Sequence, residues 1–367
     1  LLTLYINRRR QGAKLFYLNS LLNDILVKLR VCMPIIIVTF LAASRLFSQG
    51  DEFRSISNVK ARPLAMGGAF TAVVDDIAAI AFNPASFGLY SQKKKFRLTF
   101  FLNPVTPFFL ASKGQELRTG DGDIVDDALL ALGLAIKSVS LSLSSLEFGL
   151  LLSEEHIDFN REFTGKAFSF SGLRQNHTHS LISRLKLAET VSLGVSAGLI
   201  YSSKTAYPLQ RNKDLAVSYG VLLEPENGLK IGVSYVDMPD SLRFTRAPLE
   251  RFVDESINAG ISYSIGGARV AVDVRNLGEE TKIAVREFHL GLEQVLFSHF
   301  ALRTGWFQRR AGEHVYSFGL GLFDLNSMMG YSRRFKHRNF AFNYAVIVDH
   351  EQMLFERWHL FSLYLRL

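Results

Sequence analysis

The sequence predicts an all-β protein: a transmembrane antiparallel β-barrel of about 14 strands around an N-terminal hatch, or plug. Three observations predict it. From Lys95 to Leu367, apolar residues recur at every second position, the period of a strand. The runs are long, with apolar residues on one face and Arg, Asp, Lys, Ser and Gly on the other. Ahead of them lies Ala61–Tyr90, rich in Gly and Ala, too broken for a strand and too short for a domain.

Residues 1–49 read as a signal peptide with an upstream extension. Val31–Ala43 is a 13-residue apolar run preceded by Lys28 and Arg30. A membrane helix needs about 20 such residues, so a single anchor is the weaker alternative. The length fits a secretory h-region, with cleavage expected near Ser48–Gly50. The leader also explains the charge. Of the formal net +8, seven basic residues and one acid among residues 1–49 account for +6, leaving +2 for the rest. A nearly balanced body gives no electrostatic reason for nucleic-acid binding. Cys32 is the only cysteine and lies in the leader. With no phosphate-binding Gly loop, HExxH or Cys set, no cofactor and no metal are expected.

Residues 50–94 form the expected hatch. Gly67–Gly68 can turn sharply or approach another backbone closely, having no Cβ. Asp75 or Asp76 can cap a short helix over Ile77–Phe82. Pro84 lacks a donor and pushes Asn83 out of the α region, giving a hard stop and a second turn. The candidate ligand or gating residues are therefore Gly67, Gly68, Asp75, Asp76, Asn83, Pro84 and Ala85. The blander reading is that they only plug the barrel or help it assemble.

Residues 95–367 form the expected barrel. Phe96–Leu102 alternates, then Asp121–Ser138 interrupts as a helix or long loop, with Asp123, Asp126 and Asp127 near its start, where a helix dipole favours acids. Alternation resumes at Leu146–Leu152, Leu181–Leu187 and Val191–Tyr201. It continues through Leu215–Leu223, Leu229–Tyr235, Ile257–Ile265 and Val270–Val274. Phe288–Leu292, Phe300–Trp306, Phe318–Leu322, Phe340–Val348 and Phe361–Leu367 complete the series. Turn signals stand between them, at Pro225–Gly228, Met238–Asp240, Gly266–Gly267 and Asn276–Gly278. They imply antiparallel neighbours.

A soluble sandwich would alternate too. The membrane reading rests on strand length, on a polar face suited to a wet lumen, and on aromatics near strand ends. Tyr201, Tyr235, Tyr263, Trp306, Tyr331, Trp358 and Tyr364 would form interface girdles. Closure would also remove exposed strand edges. Enzyme chemistry is not expected. Gly194–Gly198 matches G-x-S-x-G, but it lies inside a strand with no helix after it, as a nucleophile elbow requires. His177 and His179 lack further ligands and read as a solvated loop.

The stretch RPLAMGGAFTAVVDD followed by AFNPAS resembles the N-terminal hatch of the FadL-type outer-membrane transport family, close to its PorV-like and uncharacterised branches. LKIGVSYVDMPD, ARVAVDVRN, FHLGLE and ALRTGW resemble strands of the same proteins. The resemblance implies a 14-stranded barrel in the outer membrane, plugged by its own N-terminus. It implies uptake of hydrophobic molecules such as long-chain fatty acids, with membrane lipid as surroundings. For the PorV-like branch it implies instead the binding or shuttling of a secreted protein, with Asp121–Ser138 and Thr205–Asp214 as candidate loops. The chain is shorter than the fatty-acid transporters and ends in Leu367 where they carry an aromatic residue.

Overall fold

A computed structural model describes residues 52–55, 58–75, 77–88, 96–104, 124–155, 177–204, 210–237, 256–277, 286–296, 300–310, 313–323, 339–351 and 354–367. The expected signal peptide, Asp76, the Met238–Asp240 turn and Tyr331 lie outside them. The described elements belong to the unit Gln49–Leu367.

Fourteen antiparallel strands form one closed sheet. In chain order they are β2 (Phe96–Leu102), β3 (Ile136–Leu143), β4 (Leu146–Glu155), β5 (His177–Ala188) and β6 (Val191–Lys204). Then come β7 (Gln210–Glu226), β8 (Leu229–Asp237), β9 (Ser256–Ile265), β10 (Ala268–Arg275) and β11 (Glu287–Leu296). The last four are β12 (Phe300–Arg310), β13 (Glu313–Phe323), β14 (Asn339–Glu351) and β15 (Leu354–Arg366). Each pairs with its sequence neighbours, and β15 returns to β2. Asn227–Gly228 and Gly266–Gly267 make two-residue turns, with Gly228, Gly266 and Gly267 at positive φ, where a Cβ is costly.

The closing seam differs from the rest. β15 meets β2 through Leu365↔Leu102 and Arg366↔Phe101, extended by reciprocal bonds between Phe100 and Leu367. Continuing that register brings Leu363 opposite Pro104, which has no N–H to donate. Beyond it, β1 (Glu52–Ser55) runs parallel to β15 over Arg357–Leu360 and takes up that edge, and the Asn58 N–H donates to the Phe361 carbonyl.

The pleat sorts the side chains as expected. Outward positions are apolar and uncovered: Leu181 is 57 % exposed and Leu215 63 %. Inward positions are largely polar and buried, among them Arg184, Ser196, Lys230, Asp273, Glu293 and Arg303. Two readings need correction. Trp358 and Tyr364 are not girdle residues. They share the inward face of β15 with Leu360 and Ser362 and are buried. Strand β3 was missed, because Ser138 was assigned to the helix or loop before it; α2 spans Ile124–Ala135 and runs straight into β3. Among the described residues, no helix is long and apolar enough to cross a membrane.

Residues 58–75 and 77–88 are buried almost throughout and pack on the inward faces of the strands. The segment begins with helix α1 (Ala61–Ala65). Its end is set by Gly67 and Gly68, at φ 62° and 74°. The Gly67 N–H donates to the Leu64 carbonyl and the Gly68 N–H to the Pro63 carbonyl, a Schellman closure that requires a left-handed residue after the helix.

Candidate functional site: the inner segment and the cavity beside it

The inward face carries a belt of glycines that receives this segment. Gly194 faces Gly220, Gly232 faces Gly260, and Gly291 faces Gly305 on adjacent strands. A Cβ on Gly194 would collide with the Pro84–Ala85 backbone, and one on Gly305 with the backbone of Gly67. Gly291 and Gly319 similarly admit Met66 and Ala65. The wall thus lets backbone touch backbone, which no side chain at these positions would permit.

The hatch residues singled out in the sequence meet this belt at separate points. The Gly67 N–H also donates to Ser317 Oγ (2.9 Å), and the Gly67 carbonyl accepts from His289 Nδ1 (2.6 Å). Arg275 donates to the Gly68 carbonyl. Asp75 lies two residues before the N-cap position, Ile77, of the following turn, and its Oδ1 accepts from the N–H groups of Ile77 (2.9 Å) and Ala78 (2.7 Å). That turn is a 3-10 helix over Ala78–Ala81, one residue shorter at each end than the expected helix. Asn83 caps the next one, Pro84–Ser86, by accepting from the Ala85 N–H (2.9 Å). Its amide nitrogen donates to the carbonyls of Thr71 (2.8 Å) and Val221 (3.2 Å), joining the segment to β7.

The strongest tie was not singled out beforehand. Arg62, on α1, forms a two-pronged pair with Glu293 of β11 (Nε–Oε1 2.9 Å, Nη2–Oε2 2.8 Å) and a third bond to Asp75. Arg303 Nε (2.7 Å) and Arg269 Nη1 (3.4 Å) complete the ring of cations around Glu293. All five side chains are buried. Burial alone would pull the Arg62 guanidinium down; Glu293 and Asp75 more than reverse this and hold it above its ordinary value. Asp273 Oδ2 adds a neighbouring tie, accepting from the N–H groups of Phe70 and Thr71 (both 2.8 Å) and from Thr71 Oγ1 (2.7 Å). The signal for these groups was parity. Glu293 and Arg303 fall two residues from Gly291 and Gly305, on the same inward face.

Between the segment and β4–β8 lies a cavity of about 690 Å³, counting its open mouth. Ile80, Ala81 and Phe82 form one side, and Leu151, Ile200 and Val236 lie on the wall. Thr178, Ser180, Ser196 and Ser218 add hydroxyls, and among the described lining residues Lys60 and Glu154 carry charge. Glu154 is held by Lys137 (2.7 Å) and by the Val59 N–H (3.0 Å).

No family model or curated protein matches the chain. Among solved structures, its fold resembles the Ralstonia pickettii toluene transporter TbuX, at 9 % identity and a TM-score of 0.44, covering 85 % of this chain and 98 % of that one. It also resembles a mutant Rh. blastica porin, at 10 % identity and a TM-score of 0.33, covering 76 % of this chain and 86 % of the porin. At such values the functional reading rests on the barrel's own geometry.

Other sequence candidates resolve differently. The G-x-S-x-G string lies wholly within β6, as expected. His177 and His179 are not in a solvated loop. They sit on the outward side of β5, His177 buried and stacked on Tyr201 at 4.4 Å, with the Tyr201 hydroxyl donating to Asp126 of α2 (3.0 Å). Among the described residues, no group of three or more His, Cys, Asp or Glu side chains is placed to hold a metal. Of the loops considered for a protein partner, Ile124–Ala135 is helix packed on β3 and β4, and 210–214 belong to β7.

Proposed function

We propose that this chain is an outer-membrane barrel that takes up hydrophobic small molecules, long-chain fatty acids among the candidates, through a lumen gated by the hatch of residues 50–94. The observation that carries the reading is a closed wall, apolar outside, around an inner segment that leaves an amphipathic cavity. Each large outward side chain moved from water into lipid contributes about 1.5–3 kcal/mol, so the exterior favours a bilayer. A hydrophobic solute needs an apolar resting place in the lumen, and the cavity supplies one. In this reading Gly67, Gly68, Asp75, Asn83, Pro84 and Ala85 hold the hatch closed, and a bound molecule shifts its equilibrium. The described parts of the loops considered for a secreted protein are engaged with the wall, which favours small-molecule carriage.

The test is uptake of pyrene and of labelled oleate by proteoliposomes. Wild-type protein should exceed protein-free liposomes for at least one probe. A Gly68→Val, Pro84→Ala double variant should lose most of that uptake while still migrating as a folded barrel on unheated gels. Equal uptake by the variant would remove the gating role; no uptake by wild type would remove carriage.

A further inference from the structure

Resting on that reading, we propose that the passage opened by the hatch is anion-selective: it admits small anions and neutral solutes in preference to cations. The charge lies at the barrel end that bears the turns Ser144–Ser145, Glu189–Thr190, Asn227–Gly228 and Gly266–Gly267. Near the strand ends there, the described inward positions hold six cations: Arg97 of β2, Arg184 of β5, Lys230 of β8, Arg269 of β10, Arg303 of β12 and Arg366 of β15. They hold three carboxylates: Glu147, Glu224 and Glu293. Lys186, Glu189 and Glu226 are exposed at the rim, where salt screens them.

The carboxylates do not exhaust the cations. Glu147 takes one guanidinium nitrogen of Arg184 (2.9 Å), and Glu224 pairs with Lys230. Glu293 is shared among Arg269, Arg303 and Arg62 of the segment. Arg184 Nε and Arg303 Nη2 are buried and meet no acceptor among the described residues. Arg62 and Asp75 both belong to the segment, so when it moves aside they leave as a neutral pair and the wall keeps its excess of cations. Rings of Arg and Lys select anions in pores, because a low-dielectric wall focuses their field along the water path. A cation on that path meets like charge, whereas an uncharged solute meets no such barrier.

The test places the full chain in planar bilayers under a tenfold KCl gradient, as wild type and as Arg62→Ala, which frees the segment. The reversal potential should take the sign of chloride, with chloride about threefold or more as permeant as potassium. In the Arg62→Ala background, Lys230→Gln should lower that ratio and Glu224→Gln should raise it, each by about 1.5-fold. The two substitutions break the same ion pair, so a merely structural effect would move the ratio one way in both. Unheated gels check that each variant is folded. Potassium as permeant as chloride or more so, or the two variants shifting the ratio together, would overturn the selectivity while leaving carriage standing. No conductance from either protein would overturn the opened passage as well, whereas uptake of pyrene and oleate tests carriage separately.

Discussion

At the scale of single residues, Arg62 is where the inner segment is most committed. Its guanidinium is shared between Glu293 across the lumen and Asp75 within the segment, so it serves wall and hatch together. Removing one partner of an isolated buried ion pair costs about 3–5 kcal/mol; here Arg303 and Arg269 still neutralise Glu293, so the loss is smaller and falls on the segment's own tie. Arg62→Ala should therefore loosen the segment rather than dissolve the wall. The expected result is an increased and noisier single-channel conductance in planar bilayers, with the unheated gel band preserved. Arg62→Lys should fall between the two, since an ammonium cannot reproduce the two-pronged contact. An unaltered conductance for Arg62→Ala would show that the glycine belt alone holds the segment.

At the scale of elements, the belt and the strands explain what could be read in advance. Outward alternation is apolar along nearly every position of β6 and β9 and over Phe361–Leu365 of β15, so these strands were legible. The inward face obeys a different rule. Where β13–β15 meet α1, Ala345, Ile347, Trp358 and Leu360 pack on Ala61 and Leu64, so the inward face of these strands is apolar at that level instead of polar. Trp358 was misplaced for that reason: an aromatic near a strand end looks the same whether it meets headgroups or a stopper. The alternation of Ser138, Ser140 and Ser142 with Val139, Leu141 and Leu143 did mark β3, but the preceding apolar helix masked its start. The glycines were visible as residues; their function as a groove depends on register between strands, which one sequence does not display. Gly305→Val should exclude Gly67 from its seat. The expected phenotype is a folded, heat-modifiable barrel whose segment becomes open to trypsin at Lys60, which is buried in the wild type.

At the scale of the whole molecule, closure rests on a short contact. Among the described residues, β2 and β15 meet only at Phe100–Leu102 and Leu365–Leu367. Unpaired backbone in lipid costs several kcal/mol per group, so these few pairs are not dispensable. Deleting Leu365–Leu367 should prevent refolding into detergent micelles, seen as loss of the heat-modifiable band, whereas Leu367→Ala, which keeps the backbone, should refold.

The position of β1 has a mechanical consequence. One end of the buried segment is stitched into a stave of the barrel, beside β15, and the other reaches Gly88 next to Glu147 and Arg184, on β4 and β5. Both moorings lie on one arc of the ring, while Thr71 and Phe70 grip Asp273 on the far arc. In the proposed gating such a body would not leave like a cork; it would swing like a leaf on one jamb, and the ties to Asp273 and Glu293 would let go first.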